Sequence, residues 1–315
     1  MKTIKDIAKM AGVSKSTVSR YLNGGSISKV TREKIHRVVE ETGYKPNQFA
    51  QSLKAKRTGL IGAIVPRLDS YATTETLKSI ESTLLLQDVQ TMIVNTDLSK
   101  EREIESIYTL AKRKVDGIIL LATHISDDHL NAINSIECPV IIVGQSHELL
   151  YSIVHDDYHA GEQVAKWIIK NNYKHVTYIG VSEYDVAVGK TRKDGLFVSL
   201  KNNGIVPRFI ESTFSMSDAQ EVGKHIEVRD NEVIVAATDN IALGIYHSVL
   251  NADYDMPKII GFGGNKITKI IAPIIQTVSF NYREAGETSV EVLQNILNGE
   301  EVKKLNVIDT HFEEQ

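Results

Sequence analysis

The chain has little of what several specialised protein classes require. It carries one cysteine in 315 residues, which excludes an internal disulfide framework and a multi-cysteine zinc site. That residue, Cys138, precedes Pro139 and the apolar run VIIV, a setting for a small buried side chain and not for a nucleophile. No run of about 18 apolar residues occurs, so no membrane span is expected. The opening MKTIKDIAKM lacks the apolar stretch and small-residue cleavage site of a secretory signal, and a cytoplasmic location is the expectation. The single tryptophan, Trp167, falls on a helical face together with several tyrosines, as core or interface residues do.

What is present is ordinary globular composition, 42% hydrophobic and 24% charged, long enough for two or three folding units. The net charge of −4 hides a division. Residues 1–60 hold thirteen Lys and Arg against four acids, which leaves 23 basic and 36 acidic residues for the remainder. A basic head on an acidic body suggests a polyanionic partner for the head.

The head reads as three short helices. In TIKDIAKMA (3–11), Ile4, Ile7, Ala8 and Ala11 share one helical face, and Thr3 is placed to cap it. Gly12 turns the chain. Ser14 then caps KSTVSRYL, with Val18 and Leu22 inward, and Asn23-Gly24-Gly25 stops it. A third helix from Thr31 buries Ile35, Val38 and Val39 and ends at Gly43. Short helices around a glycine turn form a helix-turn-helix module. The second helix exposes Lys15, Ser16, Thr17, Ser19 and Arg20. Small hydroxyl side chains let its N-terminus approach a DNA groove wall, with Lys15, Ser16 and Arg20 placed for base edges.

From Leu60 onward, apolar runs alternate with helix-period stretches. The runs are 60–66, 90–96, 116–123, 138–144, 175–181, 232–239, 258–264 and 274–281; helices are expected over 73–87, 100–114, 157–171, 189–203 and 239–250. Such alternation predicts an α/β fold with parallel sheets covered on both faces. Ligands of these folds bind beyond the carboxyl ends of the strands.

TIKDIAKMAGVSKSTVSRYLN, followed by YKPNQFAQSLKAKRTGLIGAIVP, resembles the LacI/GalR family of bacterial repressors over nearly the whole chain. Within it, the GFGG loop, IGAIVPR and NQFAQSLKAKRT resemble repressors of sucrose operons in Gram-positive bacteria. The resemblance implies a helix-turn-helix domain over 1–44, a hinge helix and linker over 45–59, and an effector-binding and dimerisation core over 60–315. That core would be like a type I periplasmic binding protein, with two Rossmann-like lobes, about 60–156 with 281–301 and 157–280 with 302–315. The hinge adds Asn47, Gln51, Leu53, Lys54 and Ala55 to the DNA contacts, with Leu53 as the minor-groove wedge. The resemblance also implies a homodimer on a palindromic operator, double-stranded DNA as partner, and a small sugar effector, sucrose or a fructosyl sugar, that releases the operator.

Polar residues at strand ends are the expected cleft lining. They are Arg67, Asp69, Tyr71, His124 and Gln145 from the first lobe, and Asp157, Tyr184, Asp185, Arg192, Asp239, Gly263 and Asn265 from the second. Arg192 matches the family's effector-binding arginine and Asp239 its cleft aspartate. An arginine fork and a carboxylate suit vicinal hydroxyls, with Tyr71 and Tyr184 available to stack on a sugar face. Gly263 stands where the family usually has an aspartate, so Asn265 substitutes or the ligand sits differently.

Enzymatic readings fail on spacing. GKT (189–191) ends like a phosphate loop, but the required glycine position is Tyr184. His155, Asp156, Asp157 and His159 cluster in HDDYHAG, yet Asp157 fits a helix cap and no further ligand set is indicated. No catalytic residue, metal or cofactor is expected, and no membrane partner. A secreted sugar receptor shares the body but not the head. A catabolite-control regulator driven by a phosphorylated carrier protein shares both, and is the alternative reading.

Overall fold

The computed structural model describes residues 2–22, 25–44, 57–250 and 255–313. The chain forms two compact units, Met1–Thr58 and Gly59–Gln315. The hinge residues Asn47, Gln51, Leu53, Lys54 and Ala55 lie outside the described residues.

In the first unit, α1 (Ile4–Ala11), α2 (Lys15–Leu22) and α3 (Lys29–Thr42) surround a small core. Thr3 and Asp6 form a reciprocal cap on α1, and Gly12 ends it with φ at 64°, a left-handed turn that glycine adopts freely. Ile7, Val18 and Ile35 are fully buried. The third helix begins two residues before Thr31 because Ser28 is its cap: the Ser28 hydroxyl accepts from the Thr31 N–H at 3.3 Å. The core is small, so each of these caps supplies a sizeable part of the stability.

The second unit is two α/β lobes. In the first, β1 (Leu60–Val65), α4 (Tyr71–Leu85), β2 (Gln90–Asn95), α5 (Lys100–Lys112), β3 (Gly117–Leu121), α6 (Asp127–Asn134), β4 (Val140–Val143) and β5 (Tyr151–His155) follow one another. The second contains α7 (Asp157–Lys170), β6 (His175–Gly180), a π-helical turn (Val186–Thr191), α8 (Arg192–Lys201), β7 (Arg208–Glu211) and α9 (Met216–Gly223). It continues with β8 (Glu232–Ala236), α10 (Asp239–Val249), β9 (Lys258–Gly263), α11 (Lys266–Ile271) and β10 (Gln276–Phe280). Then α12 (Tyr282–Asn298) and β11 (Leu305–Ile308) return to the first lobe, and β12 (Thr310–Phe312) completes the second.

The first sheet runs β11-β5-β4-β3-β1-β2 and the second β12-β10-β9-β8-β6-β7. All described pairings are parallel except β10 with β12. Central strands such as GIILL (117–121) and EVIVA (232–236) are buried along their full length, as a sheet covered on both faces requires. Ile80 and Leu84 of α4 with Val290 and Leu293 of α12 cover one face of the first sheet; Ile107 and Leu110 of α5 cover the other.

The final crossing corrects the expected lobe boundary near 302. Leu305–Ile308 pairs with β5 in the first sheet, so the chain changes lobes only at Asp309. All three crossings are single residues: Asp156, Asn281 and Asp309. The first and third are tied together, with the Asp156 N–H donating to the Ile308 carbonyl at 3.0 Å and the Thr310 hydroxyl to the Asp156 carbonyl at 3.3 Å.

Helices α7 and α8 meet backbone to backbone. A methyl group on Gly161 would lie 2.2 Å from the Arg192 carbonyl oxygen, and one on Gly195 would lie 2.0 Å from that of Tyr158. Only glycine permits this approach, and the approach sets the start of α8 beside the start of α7. Gly195→Ala should therefore destabilise the second unit by about 1–3 kcal/mol through overpacking. Thermal unfolding followed by circular dichroism checks this; an unchanged midpoint would mean the two helices part without cost.

Candidate functional site

A cleft opens where the carboxyl ends of both sheets face one another. It encloses about 1080 Å³ of space, part of it open to solvent, between residues of β1, β3, β4 and β5 and those of β9, β10 and α8. Of the residues expected there, Arg67, Tyr71, Gln145, Asp157, Asp185, Arg192, Asp239, Gly263 and Asn265 line it.

Three others do not. Asp69 points to solvent, 79% exposed, with its carboxylate 3.7 Å from Arg67 Nε. The His124 and Tyr184 rings meet each other outside the lining, 5.1 Å apart and tilted by 37°. Close to this ring pair, the Val186 N–H donates to the Thr123 carbonyl at 3.2 Å, and Gln145 Nε2 reaches Asp185 Oδ1 at 3.5 Å. These contacts join the two lobes beside the cleft.

Arg192 is the centre of the floor. Its Nε and Nη2 donate to Asp157 Oδ1 at 3.0 and 2.7 Å, and its Nη1 donates to the Ala237 carbonyl. The guanidinium carbon lies over the rings of Phe262 and Phe280, 4.8 and 4.7 Å from their centroids. The expected open fork is therefore largely committed within the protein. Asp157 is the first residue of α7 and the counter-ion of Arg192; the cap is Asp156, whose carboxylate accepts from the His159 N–H at 3.0 Å.

Asp239 opens α10 and is buried. Its Oδ2 accepts from the Asn265 N–H and its Oδ1 from the Thr277 hydroxyl, both at 2.6 Å. Burial pushes its carboxyl up to about 6, against the pull of these two donors and of Arg192. Asp185, at the start of the π-helical turn, is pushed up to about 6 by burial as well, against the N–H of Val188 and the charge of Arg192. Both groups sit where a neutral ligand would exchange hydrogen bonds with them.

Gly263 has a physical reason. Its φ is 142°, and a Cβ there would stand 3.2 Å from Asp239 Oδ2. A carboxylate at this position would crowd a buried carboxylate already present. Asn265 does not replace it freely, since its Oδ1 caps α11 by accepting from the Ile267 N–H at 2.9 Å.

Sequence reasoning missed the aromatic and imidazole part of the lining: His155, Phe214, Phe262, Phe280 and Tyr282. Phe280 and Tyr282 stack at 5.9 Å, and Tyr71 meets Tyr282 edge-on at 6.0 Å. Arg67 lies over Phe214 at 4.6 Å. The strand-end rule reaches Phe280, but a search confined to polar residues passes over it. Among the described residues no group of three or more His, Cys, Asp or Glu is placed to hold a metal ion, and no helix is long and apolar enough to cross a membrane.

In the first unit, Lys15, Ser16 and Arg20 are exposed on α2, while Thr17 and Ser19 are half-buried. The Ser14 hydroxyl joins those of Ser16 and Thr17 at 2.7 and 2.8 Å. The helix therefore begins with a cluster of hydroxyls beside a lysine, a surface able to accept phosphate.

Residues 3–47 match the model for bacterial regulatory proteins of the lacI family, and residues 58–311 match that for periplasmic binding proteins and the sugar binding domain of the LacI family. The chain is 41% identical to the sucrose operon repressor of Staphylococcus xylosus over 98% of both chains. It is 27% identical to catabolite control protein A of Staphylococcus epidermidis, over 98% of this chain and 96% of the relative. The fold is that of the lac repressor dimer bound to operator and the anti-inducer ONPF, with a TM-score of 0.92 over 99% of this chain and 98% of the other at 21% identity. With both domain models and a full-length relative in agreement, the chain belongs to the LacI family of bacterial DNA-binding transcriptional regulators, and it is not an enzyme.

Proposed function

We propose that this chain represses a sugar-utilisation operon and that sucrose, or a fructosyl sugar, is its effector. The observation that carries this reading is the 41% identity to a sucrose operon repressor over nearly the whole of both chains. The cleft supports it chemically. Its carboxylates, amide and arginine alternate acceptors and donors around a ring of aromatic side chains, as a polyhydroxylated ligand requires. The catabolite-control reading has a more distant relative, at 27% identity, and needs a protein partner in place of a free sugar.

On the DNA side, Lys15, Ser16, Thr17, Ser19 and Arg20 of α2 read an operator half-site. Asn47, Gln51, Leu53, Lys54 and Ala55 extend the contact, with Leu53 in the minor groove. A homodimer matches a palindromic operator. Such a protein works where the chromosome is, in the cytoplasm. The sugar stabilises the closed cleft and shifts the population away from the operator-binding state, a coupling of about 1–3 kcal/mol, or roughly 5–150-fold in affinity.

Four results are expected. In a gel shift on the protein's own promoter, sucrose or fructose should release the DNA while glucose and sugar phosphates do not. Arg192→Ala should remain bound at every sugar concentration; a complex indifferent to all sugars in the native protein would favour the protein-partner reading. Arg20→Ala should lose about 1–3 kcal/mol on the cognate half-site and discriminate less between half-site variants, as measured on a panel of operators.

The fourth result concerns pH. Asp185 and Asp239 titrate near 6 in the fold against an ordinary value of 3.8, so each holds its proton more tightly folded than unfolded. The stability linked to them is full below about 4 and is lost as pH rises through 6. Sugar binding runs the other way, because protonation removes two acceptors. The sucrose concentration for half-release should rise between pH 7 and pH 5, and less steeply in Asp185→Asn. Parallel titrations at the two pH values check this.

A further inference from the structure

Asp157 stands immediately after the first crossing, as the opening residue of α7. It is more than nine-tenths buried and lines the cleft. Its two oxygens have different surroundings. Oδ1 accepts from Arg192 Nε at 3.0 Å and from Arg192 Nη2 at 2.7 Å, whereas Oδ2 accepts from no donor among the described residues. Nor is Oδ2 sealed in the interior, as the unpartnered Glu103 Oε1 and Ser212 hydroxyl are. A carboxylate offers about four acceptor sites over its two oxygens. Arg192 occupies those of Oδ1, and those of Oδ2 remain open.

The carboxylate is also held in place. Turning it would break two charge-assisted hydrogen bonds to a guanidinium that is itself tied to the Ala237 carbonyl and packed on Phe262 and Phe280. Behind it, α7 and α8 touch backbone to backbone at Gly161 and Gly195. The other cleft aspartates differ. Both oxygens of Asp239 already receive donors, from the Asn265 N–H and the Thr277 hydroxyl. Oδ1 of Asp185 takes the Val188 N–H at 3.1 Å and Gln145 Nε2 at 3.5 Å. At Asp239 an incoming hydroxyl shares oxygens already bonded; at Asp157 Oδ2 it meets a fixed acceptor with none. A largely buried acceptor without a donor is costly, and one that faces a ligand cleft meets that cost when the ligand brings the donor.

We infer that Asp157 is a specificity-determining residue of the effector site: its Oδ2 accepts a hydrogen bond from a hydroxyl of the bound sugar, while Oδ1 holds Arg192. The hydroxyl must act as donor, so a deoxy carbon, a methyl ether or a ketal oxygen at the same place does not serve. An anionic group there is repelled by the carboxylate, so this position selects a neutral polyol. The ligand is thereby bonded to the residue that follows the first crossing. This assignment rests on the proposal that a sugar is the effector.

The experiment uses the full chain on its operator, with sucrose and its monodeoxy derivatives as probes. In Asp157→Asn the amide oxygen stays with the Arg192 donors, so an amino group faces the cleft where Oδ2 stood. The acceptor becomes a donor at unchanged shape, and the sucrose concentration for half-release should rise by about tenfold or more. On the native protein one monodeoxy derivative should lose a similar factor. On Asp157→Asn that derivative should lose nothing further relative to sucrose, a non-additivity that a purely structural role for Asp157 does not produce. A crystal structure of the native protein with sucrose should place a sugar hydroxyl about 2.5–3.0 Å from Oδ2, and it decides alone should the variant fail to fold. Half-release of native and variant at the same sucrose concentration, equal penalties for every derivative on both proteins, or a bound sucrose that leaves Oδ2 without a hydroxyl overturns the assignment and leaves the sugar reading intact. Sucrose without effect on the native operator complex overturns both.

Discussion

The cleft depends on one buried ion pair. Arg192 and Asp157 are 6% and 9% exposed and lie 2.7 Å apart, and they come from the first turns of two helices that touch through Gly161 and Gly195. Removing water from two charges is expensive, and the pair persists because the geometry is close and the remaining guanidinium donors are also used. Once fixed, the guanidinium packs against Phe262 and Phe280 and so helps order the aromatic floor. Its charge also bears on Asp185, Asp239 and His155. Breaking the pair would leave a buried charge without a partner, at a cost of about 3–5 kcal/mol. The same side chain thus organises the lobe and lines the cleft.

Much of this was legible in the sequence, for reasons that can be named. The head was readable because helix periodicity, caps and glycine stops coincide within a few residues: Thr3, Gly12, Ser14 and Gly43 each sit where a helix begins or ends. The central strands were readable because both faces are buried and the runs are unbroken. Edge elements were harder. Tyr151–His155 is interrupted by Ser152 and His155, and Arg208–Glu211 is mostly exposed, so neither stands out as apolar. The boundary near 302 was misplaced because LNVIDTHF contains two strands that belong to different sheets, and only pairing distinguishes them.

The site was legible by position more than by contact. Strand ends identified nine cleft residues, yet the same rule included His124 and Tyr184, whose rings meet each other outside the lining. No sequence pattern announces that two rings will meet across a gap between lobes. Nor does it announce that the arginine fork will be consumed by Asp157, since that contact depends on a helix approach measured in tenths of an ångström. Gly263 is the reverse case. Its departure from the family's aspartate was visible at once, but its meaning required the neighbouring Asp239 carboxylate.

The three one-residue crossings have a mechanical consequence. Segments that short, with the first and third hydrogen-bonded together, leave no slack for the two sheets to slide or separate, so the motion open to the lobes is a swing about a fixed pivot. Travel along that arc grows with distance from the axis. His155 adjoins the first crossing and so lies on the short arm. A small molecule held at the floor thus acts on the short arm of a lever, and a change of a few tenths of an ångström there is magnified at the far ends of both lobes.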